Sequence, residues 1–416
     1  MGYQRIIFHI DVNAAFLSWS AVNRLSQGDP LDIRTISSVI GGNEQARKGI
    51  VLAKSEPARQ FHIVTGETLV SARQKCPSLA VFPPEYSLYM EFSNRMYQIL
   101  CEYSPVIERY SIDECFLDYT GMQAICGDPV QCADAIRRRI FAELGFTVNI
   151  GVGTNKLLAK MAGELRRPDA TNTLFPWELQ KKFWPLPVRD LFMVGRATEA
   201  ALKRRGIYTI GQLAAADRDF LYRHLKKQGL LVWGYANGLD TAPVVPNHTI
   251  PPKSFSNSAT LPADVSSRED AHFALLPLCE STASRMRREG FACRLVSVQI
   301  KYGDFTAASR QKALVCPADA TDLLIHTVCS LFDRLWNGKP IRLLGVRLAS
   351  LTESTCRQLS LFEEESFRHY ALDAAADDIR QRYGRRALVR ASALHHDFSH
   401  LDRYDREDKP RVNCPF

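Results

Sequence analysis

The feature that most constrains the fold is a pair of adjacent carboxylates between two short apolar runs. Asp113 and Glu114 lie between segments 106–110 and 115–117, an order that predicts a strand, a tight turn and a second strand. Two adjacent carboxylates repel each other, which raises the pKa of one of them. A bound divalent cation such as Mg²⁺ removes this repulsion. For an isolated Asp-Glu pair, a solvated turn is the simpler interpretation.

A third carboxylate favours the metal-site interpretation. Asp11 ends the mostly apolar run 5–12, which predicts a buried strand, and the small and apolar residues 13–22 predict a helix entered by a tight turn. A carboxylate at the end of a buried strand, just before a helix N-terminus, suits a metal or phosphate site.

Composition indicates a globular protein. The 416 residues are 46% hydrophobic and 24% charged, which predicts a substantial core and about two to four domains. No apolar run approaches the roughly 20 residues that span a bilayer, and the N-terminus leads directly into a strand, so we expect no membrane segment and no signal peptide. The 11 scattered cysteines lack a Cys-x-x-Cys pair, which argues against a zinc site or disulfide scaffold and favours the reducing cytoplasm.

Charge is unevenly distributed along the chain. Residues 1–175 have no net charge, whereas residues 176–246 carry +5 and residues 247–351 carry +4. This distribution is typical of a protein whose middle segments bind a polyanion while the first segment performs chemistry. A basic surface that serves only solubility is the alternative.

Two motifs together resemble a known family. Residues 10–16 (Ile-Asp-Val-Asn-Ala-Ala-Phe) and 111–118 (Ser-Ile-Asp-Glu-Cys-Phe-Leu-Asp) resemble the catalytic motifs of Y-family (translesion) DNA polymerases, most of all the bacterial ones. The resemblance implies an α+β multidomain fold, a right-hand polymerase with palm, small fingers, helical thumb and an α/β little finger domain. It also implies a low-fidelity, template-directed DNA polymerase for translesion synthesis, which transfers a nucleotidyl group from a dNTP to a primer 3′-hydroxyl with two Mg²⁺ ions.

The resemblance assigns roles to residues of both motifs. Asp11, Asp113 and Glu114 match the catalytic, metal-binding carboxylates, and the Val12 carbonyl adds a ligand. The nucleotide would contact the residues that follow Asp11, with Phe16 as a steric gate against the ribose 2′-hydroxyl; these residues are Asn13, Ala14, Ala15 and Phe16. From the residues alone, Phe16 could equally be a core aromatic.

Two further segments resemble nucleotide-binding motifs of the family. Residues 54–61 resemble the fingers motif, in which Arg59 matches an arginine that contacts the triphosphate. Glu56 stands where the family usually has tyrosine, and it would repel phosphate unless it turns away or pairs with Lys54 or Arg59. Residues 151–160 resemble the third palm motif, in which Lys160 matches a lysine that reaches the β- and γ-phosphates. An ordinary surface lysine is the alternative for Lys160.

The same resemblance predicts the domain boundaries. Residues 176–240 resemble a helix-hairpin-helix thumb, although Met193 replaces the usual first glycine, and the proline-rich run 241–252 reads as a linker. The remaining boundaries are 1–30 and 81–175 for the palm, 31–80 for the fingers, 253–351 for the little finger and 352–416 for a C-terminal tail.

The tail carries a candidate partner motif. The pentapeptide 358–362 closely resembles the sliding-clamp-binding motif of bacterial polymerases, and two large apolar residues beside an acidic run suit a partner's apolar pocket. Its residues are Gln358, Leu359, Ser360, Leu361 and Phe362. The expected partners are primer-template DNA, a dNTP and the beta subunit of the bacterial sliding clamp, with the chain itself a monomer.

Two other functions fit parts of the sequence. A non-catalytic Y-family-like accessory protein would bind DNA and the clamp, but it would be expected to lose metal carboxylates. A nucleotide cyclase with a palm-like core would have no use for a basic thumb or a clamp motif.

Overall fold

A computed structural model describes residues 5–44, 47, 49–246, 251–354, 366–384 and 387–391. The chain divides into two compact units, one within residues 1–42 and 50–250 and the other within 43–49 and 251–407. Within the described ranges, no helix combines the length and apolar character needed to cross a membrane.

The strands are numbered in chain order. They are β1 (Ile7–Val12), β2 (Ser38–Gly41), β3 (Val51–Lys54), β4 (Ala80–Phe82), β5 (Ile107–Arg109), β6 (Glu114–Asp118), β7 (Val148–Gly153), β8 (Thr171–Leu174), β9 (Ser254–Val265), β10 (Phe291–Tyr302), β11 (Ala307–Ala318) and β12 (Ile341–Glu353).

The helices are also numbered in chain order. They are α1 (Ala15–Ser26), α2 (Glu56–Gln60), α3 (Leu69–Lys75), α4 (Tyr86–Cys101), α5 (Gln123–Cys126), α6 (Pro129–Leu144), α7 (Lys156–Leu165), α8 (Arg196–Lys203), α9 (Ile210–Ala214), α10 (Arg218–Ala236), α11 (Arg268–Arg288), α12 (Thr321–Asp333) and α13 (Ser366–Tyr383).

A five-stranded sheet, ordered β5-β6-β1-β7-β8, forms the centre of the first unit. Strand β1 is buried along its whole length because both of its faces are covered. Phe8 and Ile10 join the core formed with α1, α4 and α6, whereas Ile7 packs on the opposite side with Ala159 of α7. Alternate residues of one strand thus enter two different layers, which explains why the run is almost continuously apolar.

Helix α7 lies unusually close to strand β7. A Cβ atom added at Gly151 would stand 2.0 Å from the Ala159 carbonyl oxygen and 2.4 Å from the Gly163 nitrogen. Glycine is therefore required at Gly151, because a side chain would push the helix away from the sheet. This close approach holds α7 against β7 and the neighbouring strand β1.

The first unit contains two further layers. A three-stranded sheet, ordered β3-β2-β4, packs on α3 through a separate small core. Residues 176–236 form a helical region of short helices followed by α8, α9 and α10, with its own apolar cluster around Phe183 and Leu213. Helix α10 is interrupted at Lys226, whose φ of 54° is not helical.

The second unit is a four-stranded antiparallel sheet, ordered β11-β10-β12-β9, with α11 and α12 packed on one face. The inward residues of β10, such as Val296 and Val298, are fully buried, whereas Ser297 and Gln299 alternate with them. Helix α13 is held to this unit by ion pairs from Asp373 and Asp377 to Arg287 of α11. The fold therefore combines helices with antiparallel and mixed sheets in several layers.

Candidate active site

The carboxylates singled out in the sequence meet at the edge of the five-stranded sheet. Asp11 is the direct cross-strand partner of Glu114 in the antiparallel pairing of β1 with β6. Directly opposed residues place their side chains on the same face, within about 5.5 Å at Cβ. The Val12 N–H donates to the carbonyl oxygen of Asp113 at 3.1 Å, which ties the turn to the end of β1.

The turn before β6 is fixed by its own hydrogen bonds. The backbone N–H groups of Tyr110 and Ser111 both donate to the carbonyl oxygen of Glu114. The Ser111 hydroxyl donates to Asp113 Oδ1 at 2.5 Å. Burial raises the pKa of Asp113, the Ser111 hydrogen bond lowers it, and the neighbouring Glu114 charge raises it further.

Two cations and a histidine bind the other two carboxylates. Arg167 donates to Asp11 and also to Glu164 Oε1 at 2.5 Å. Lys160 Nζ lies 2.7 Å from Glu114 Oε2, and His9 Nε2 lies 3.4 Å from the same oxygen.

The two partnered carboxylates titrate very differently. Burial is the largest influence on Asp11 and raises its pKa to about 7, although the Arg167 guanidinium opposes the rise. Burial would also raise the pKa of Glu114, but the hydrogen bonds from His9 and Lys160 bring it down to about 2. Burial lowers the pKa of His9 to about 4. At neutral pH, Glu114 is therefore charged, His9 is neutral and Asp11 is close to its midpoint.

The three carboxylates line an open cavity of about 340 Å³. The cavity brings together the carboxylates and the cations Arg59 and Arg167 beside the Phe16 ring. Its lining residues are Asp11, Val12, Ala14, Ala15, Phe16, Leu52, Ala53, Lys54, Arg59, Thr65, Asp113, Glu114, Glu164 and Arg167. The wall therefore carries both carboxylate oxygens and guanidinium groups.

The Phe16 ring packs on an aromatic residue of the core. It stacks on Tyr89 of α4, with centroids 4.6 Å apart and planes 7° apart, and the Tyr89 hydroxyl is 2.8 Å from Ser20 Oγ. Ala14 adopts a left-handed φ of 47° as the N-cap of α1, so the chain turns sharply between Asp11 and Phe16. The ring thus lies at the cavity wall and packs on the core.

Helix α2 presents Arg59 to the cavity. The Ser55 side chain accepts a hydrogen bond from the Ala58 N–H and caps this helix. Glu56 occupies the first turn, where an acidic residue is favourable, and its carboxylate lies 3.5 Å from Arg59 Nε. The Glu56 side chain is 64% exposed, so this carboxylate points toward solvent and its neighbouring arginine.

Two residues expected to bind the nucleotide contact other side chains. Asn13 donates to Thr147 Oγ1 at 3.2 Å, and Lys160 binds Glu114, and neither is among the described residues that line the cavity. Conversely, the sequence interpretation missed Arg167, Glu164 and Tyr89. The clamp motif 358–362 lies outside the described residues.

Each of the three carboxylates accepts a hydrogen bond, from Arg167, Ser111 and Lys160 in turn. Over the part of the chain that is described, no three His, Cys, Asp or Glu side chains stand close enough to hold a metal ion as they are. The donor set nevertheless suits a hard cation, because Asp11, Asp113 and Glu114 offer carboxylate oxygens at one cavity and burial raises the pKa of two of them. A divalent cation would relieve that accumulation of negative charge.

Comparisons with known proteins identify the family. Residues 10–164 match the impB/mucB/samB family, and residues 252–361 match the C-terminal domain of that family. DNA polymerase IV of Clostridium acetobutylicum is 44% identical, with 94% of this chain and 98% of the relative covered. DNA polymerase IV of Acetivibrio thermocellus is 36% identical over the same shares, and DNA polymerase IV 2 of Bacillus subtilis is 33% identical over 95% and 96%.

A solved structure shares the fold. A Y-family DNA polymerase chimera superposes with a TM-score of 0.71 over 84% of this chain and 99% of its own, at 21% sequence identity. The expected α+β right-hand polymerase fold is thus confirmed. The chain therefore belongs to the impB/mucB/samB family, the Y family of translesion DNA polymerases, and is similar to the bacterial enzymes named DNA polymerase IV.

Proposed function

We propose that this chain is a template-directed translesion DNA polymerase of low fidelity, whose chemistry occurs at the cavity bounded by Asp11, Asp113 and Glu114. The observation that carries the proposal is the convergence of these carboxylates with Arg59 and Arg167 on one cavity. Nucleotidyl transfer needs anionic metal ligands at the reacting phosphate and cations at the leaving phosphates.

Asp11, Asp113, Glu114 and the Val12 carbonyl would hold the divalent cofactor, and we propose two Mg²⁺ ions. Such ions activate the primer 3′-oxygen and stabilise the charge on the leaving group. The protein supplies the carboxylates at fixed positions, since Asp11 and Glu114 are cross-strand partners and Asp113 is bound by Ser111. Arg167 would leave Asp11 when the cation binds there and would become available to a phosphate.

Arg59 and Arg167 are the proposed triphosphate ligands. Both line the cavity, and a planar guanidinium suits bidentate contact with phosphate oxygens. The N-terminus of α1 is a further candidate phosphate contact. Residues 13–15 lie at the start of this 12-residue helix, and its first backbone N–H groups can donate hydrogen bonds to an anion. The expectation that Lys160 contacts the β- and γ-phosphates directly stays a prediction.

Phe16 is the proposed steric gate. Its ring lines the cavity and cannot retreat easily, because Tyr89 is stacked behind it and is fully buried. A ribose 2′-hydroxyl would clash with a ring so supported, which excludes ribonucleotides by repulsion.

The partners follow from the remaining features. We propose that primer-template DNA binds the basic segments 176–246 and 247–351 through its phosphates. The beta subunit of the sliding clamp would bind residues 358–362, and the chain would act as a monomer. None of the nine cysteines within the described residues forms a disulfide, which supports the cytoplasm as the place of action.

The domain boundaries are also part of this proposal. The five-stranded sheet supports a palm at 1–30 and 81–175, and the small sheet β3-β2-β4 supports fingers at 31–80. The helical region supports a thumb at 176–240, and the four-stranded sheet supports a little finger at 253–351. The run 241–252 would be the linker, and 352–416 the tail. No observation favours the non-catalytic alternative, since the carboxylates are present at one site.

Primer extension tests the proposed function. We expect the protein to extend a primed template with Mg²⁺ and four deoxynucleotides, and the double substitution Asp113→Ala/Glu114→Ala to abolish extension while DNA binding persists. Asp118→Ala is the matched control, because this carboxylate lies on the same strand but outside the cavity lining. Absence of extension by the unaltered protein, despite DNA binding, would establish the accessory-protein function instead.

A further inference from the structure

The hairpin that joins β10 to β11 carries an exposed aromatic ring at its tip. Phe305 is 62% exposed and is absent from the apolar core of the second unit, as far as that core is described. The Nζ atom of Lys301 and the guanidinium carbon of Arg342 each lie 4.9 Å from the centroid of this ring. An exposed aromatic ring beside two cations is typical of a surface that binds single-stranded nucleic acid.

The backbone at this ring is strained. Phe305 has a φ of 66°, which a bulky residue rarely adopts and which glycine usually provides at a hairpin tip. The Phe305 N–H donates to the Tyr302 carbonyl oxygen at 3.0 Å, and Asp304 Oδ1 accepts the Thr306 N–H at 2.9 Å, so the tip holds this conformation. Backbone strain of this kind concentrates at functional positions, which indicates a use for the ring.

The two cations beside the ring are available to an external anion. Within the described residues, no ion pair joins Lys301 or Arg342 to a carboxylate, and the adjacent Asp304 pairs with Lys339 at 3.1 Å instead. A cation at an exposed aromatic ring gains only about 0.5–1 kcal/mol, whereas a phosphate offers a charge-assisted hydrogen bond. A bound strand would therefore draw both cations to its phosphates and leave the Phe305 ring free to contact a base.

We propose that Lys301, Phe305 and Arg342 form a platform for single-stranded DNA, in which a base stacks on the ring and the neighbouring phosphates bind the two cations. This inference rests on the proposed function, because a polymerase substrate includes the unpaired template ahead of the primer end. An unpaired base exposes a face for stacking, whereas a base inside a duplex does not. Since every base has such a face, the platform would accept any template sequence.

The decisive variant is Phe305→Gly, because it removes the ring and the backbone strain together. Fluorescence anisotropy measures the binding of an oligothymidylate of about 12 nucleotides and of an abasic strand of the same length. We expect Phe305→Gly to bind the oligothymidylate about tenfold more weakly and to lose the preference for it over the abasic strand. The variant should unfold at the same or a higher temperature, since glycine adopts this φ without strain, and weaker binding then cannot result from misfolding.

Three further substitutions act as controls. Phe305→Tyr keeps an aromatic face and should bind the oligothymidylate like the unaltered protein. Val315→Ala shortens a side chain that is 94% exposed on the next strand, β11, and should also leave binding unchanged. Lys301→Met should retain the preference for bases over the abasic strand but reduce the slope of log affinity against log salt concentration by about 0.7.

Several results would overturn the platform. Phe305→Gly that binds the oligothymidylate like the unaltered protein would show that no base stacks on this ring. An equal loss of binding to the abasic strand, or to a duplex without an overhang, would show that the hairpin contacts the DNA backbone without distinguishing single strands. A failure of Phe305→Tyr to bind would exclude stacking as the reason for the loss.

Primer extension distinguishes this inference from the proposed function. For Phe305→Gly, we expect the KM for DNA to rise on a template with a long 5′ overhang and to stay unchanged on one with a single-nucleotide overhang. An unaltered protein that extends primers, with a Phe305→Gly variant that binds single strands normally, contradicts only the platform. An unaltered protein that extends no primer contradicts the polymerase function, and the oligothymidylate comparison still decides whether Phe305 stacks on a base.

Discussion

Asp11 is buried at the end of β1, directly opposite another carboxylate. Its exposed fraction is 6%, and Glu114 is its partner across the strand pair. Burial and the neighbouring negative charges raise its pKa to about 7, in spite of the contact with Arg167. A bound proton and a bound cation satisfy the same need at this position, so they compete.

This competition predicts a pH-dependent metal affinity. Below pH 7, Asp11 is mostly protonated and the cation must displace that proton, so Mn²⁺ affinity should fall by about tenfold per pH unit. Above about pH 8 the affinity should level off, because Asp11 is then ionised without help. Calorimetric titration with Mn²⁺ between pH 6 and pH 8.5, in buffers of different ionisation enthalpy, measures both the affinity and the released proton.

Asp11→Asn provides the control for that measurement. The amide cannot be ionised, so this variant should bind Mn²⁺ weakly and without the proton release. An affinity of the unaltered protein that stays constant from pH 6 to pH 8.5 would show that Asp11 is already ionised without metal.

The local sequence predicted those cavity residues whose positions depend only on the short motif that contains them. Asp11, Asp113 and Phe16 lie at the cavity because each is placed by a short strand, turn or helix start within a few residues of itself. Arg167 was missed because its partner, Asp11, is 156 residues away in sequence. The face of α7 that carries Lys160 was predictable from its spacing to Lys156, but the anion that Lys160 contacts depends on tertiary packing.

The pairing of helices α1 and α4 determines how firmly Phe16 is held. We expect Tyr89→Leu to leave space behind the Phe16 ring and to lower discrimination between dNTP and rNTP by about tenfold, since the ring can then yield to a 2′-hydroxyl. The measurement is the ratio of kcat/KM for dCTP to that for CTP.

Tyr89→Phe separates ring support from the hydroxyl contact. It keeps the stacked ring and removes only the hydrogen bond to Ser20, so discrimination should persist while stability falls by about 1 kcal/mol. If Tyr89→Leu reduces stability but leaves the kcat/KM ratio unchanged, Phe16 needs no support from α4.

The turn before α8 contains backbone strain. Met193 has a φ of 69° and is 50% exposed, at the position where the sequence comparison with helix-hairpin-helix elements expects glycine. Because glycine adopts this conformation freely, Met193→Gly should stabilise the first unit by about 0.5–1 kcal/mol, and Met193→Val should destabilise it. Denaturant unfolding followed by tryptophan fluorescence measures both changes, and equal stabilities would show that the turn relaxes to another φ.

Element predictions succeeded where periodicity was strong and failed where strands were polar. The apolar run 5–12 predicted strand β1 within two residues of its observed ends, Ile7 and Val12. Strand β9 was not expected, because its first half, Ser-Phe-Ser-Asn-Ser, alternates small polar residues with few apolar ones. It forms a strand because it pairs with β12 from Ser254 to Val265, a long-range contact that local propensity does not reveal.

At the scale of the whole chain, each of the two units contains its own apolar core. The first has clusters around Phe8 and Phe183, and the second has a separate cluster around Val296 and Phe332. Units with independent cores are expected to unfold independently. Calorimetry should therefore show two transitions, and a substitution in one core should shift only one of them.

A buried ion network in the second unit provides the substitution for that experiment. Arg287, whose side chain is 12% exposed, donates to Asp373 and Asp377, and Asp373 also accepts the Thr321 N–H at 2.7 Å. Asp373→Ala leaves the buried Arg287 cation without one of its carboxylates and the Thr321 N–H, at the start of α12, without its acceptor. This loss should destabilise the second unit by about 3 kcal/mol.

The control for Asp373→Ala lies on the same helix. The Asp378 side chain is 54% exposed and pairs only with Arg382 in the described contacts, so Asp378→Ala should change stability by less than about 0.5 kcal/mol. Only the transition of the second unit should move in Asp373→Ala. A shift of both transitions would mean that the units unfold cooperatively, and no shift would mean that α13 contributes nothing to the stability of the sheet and helices it contacts.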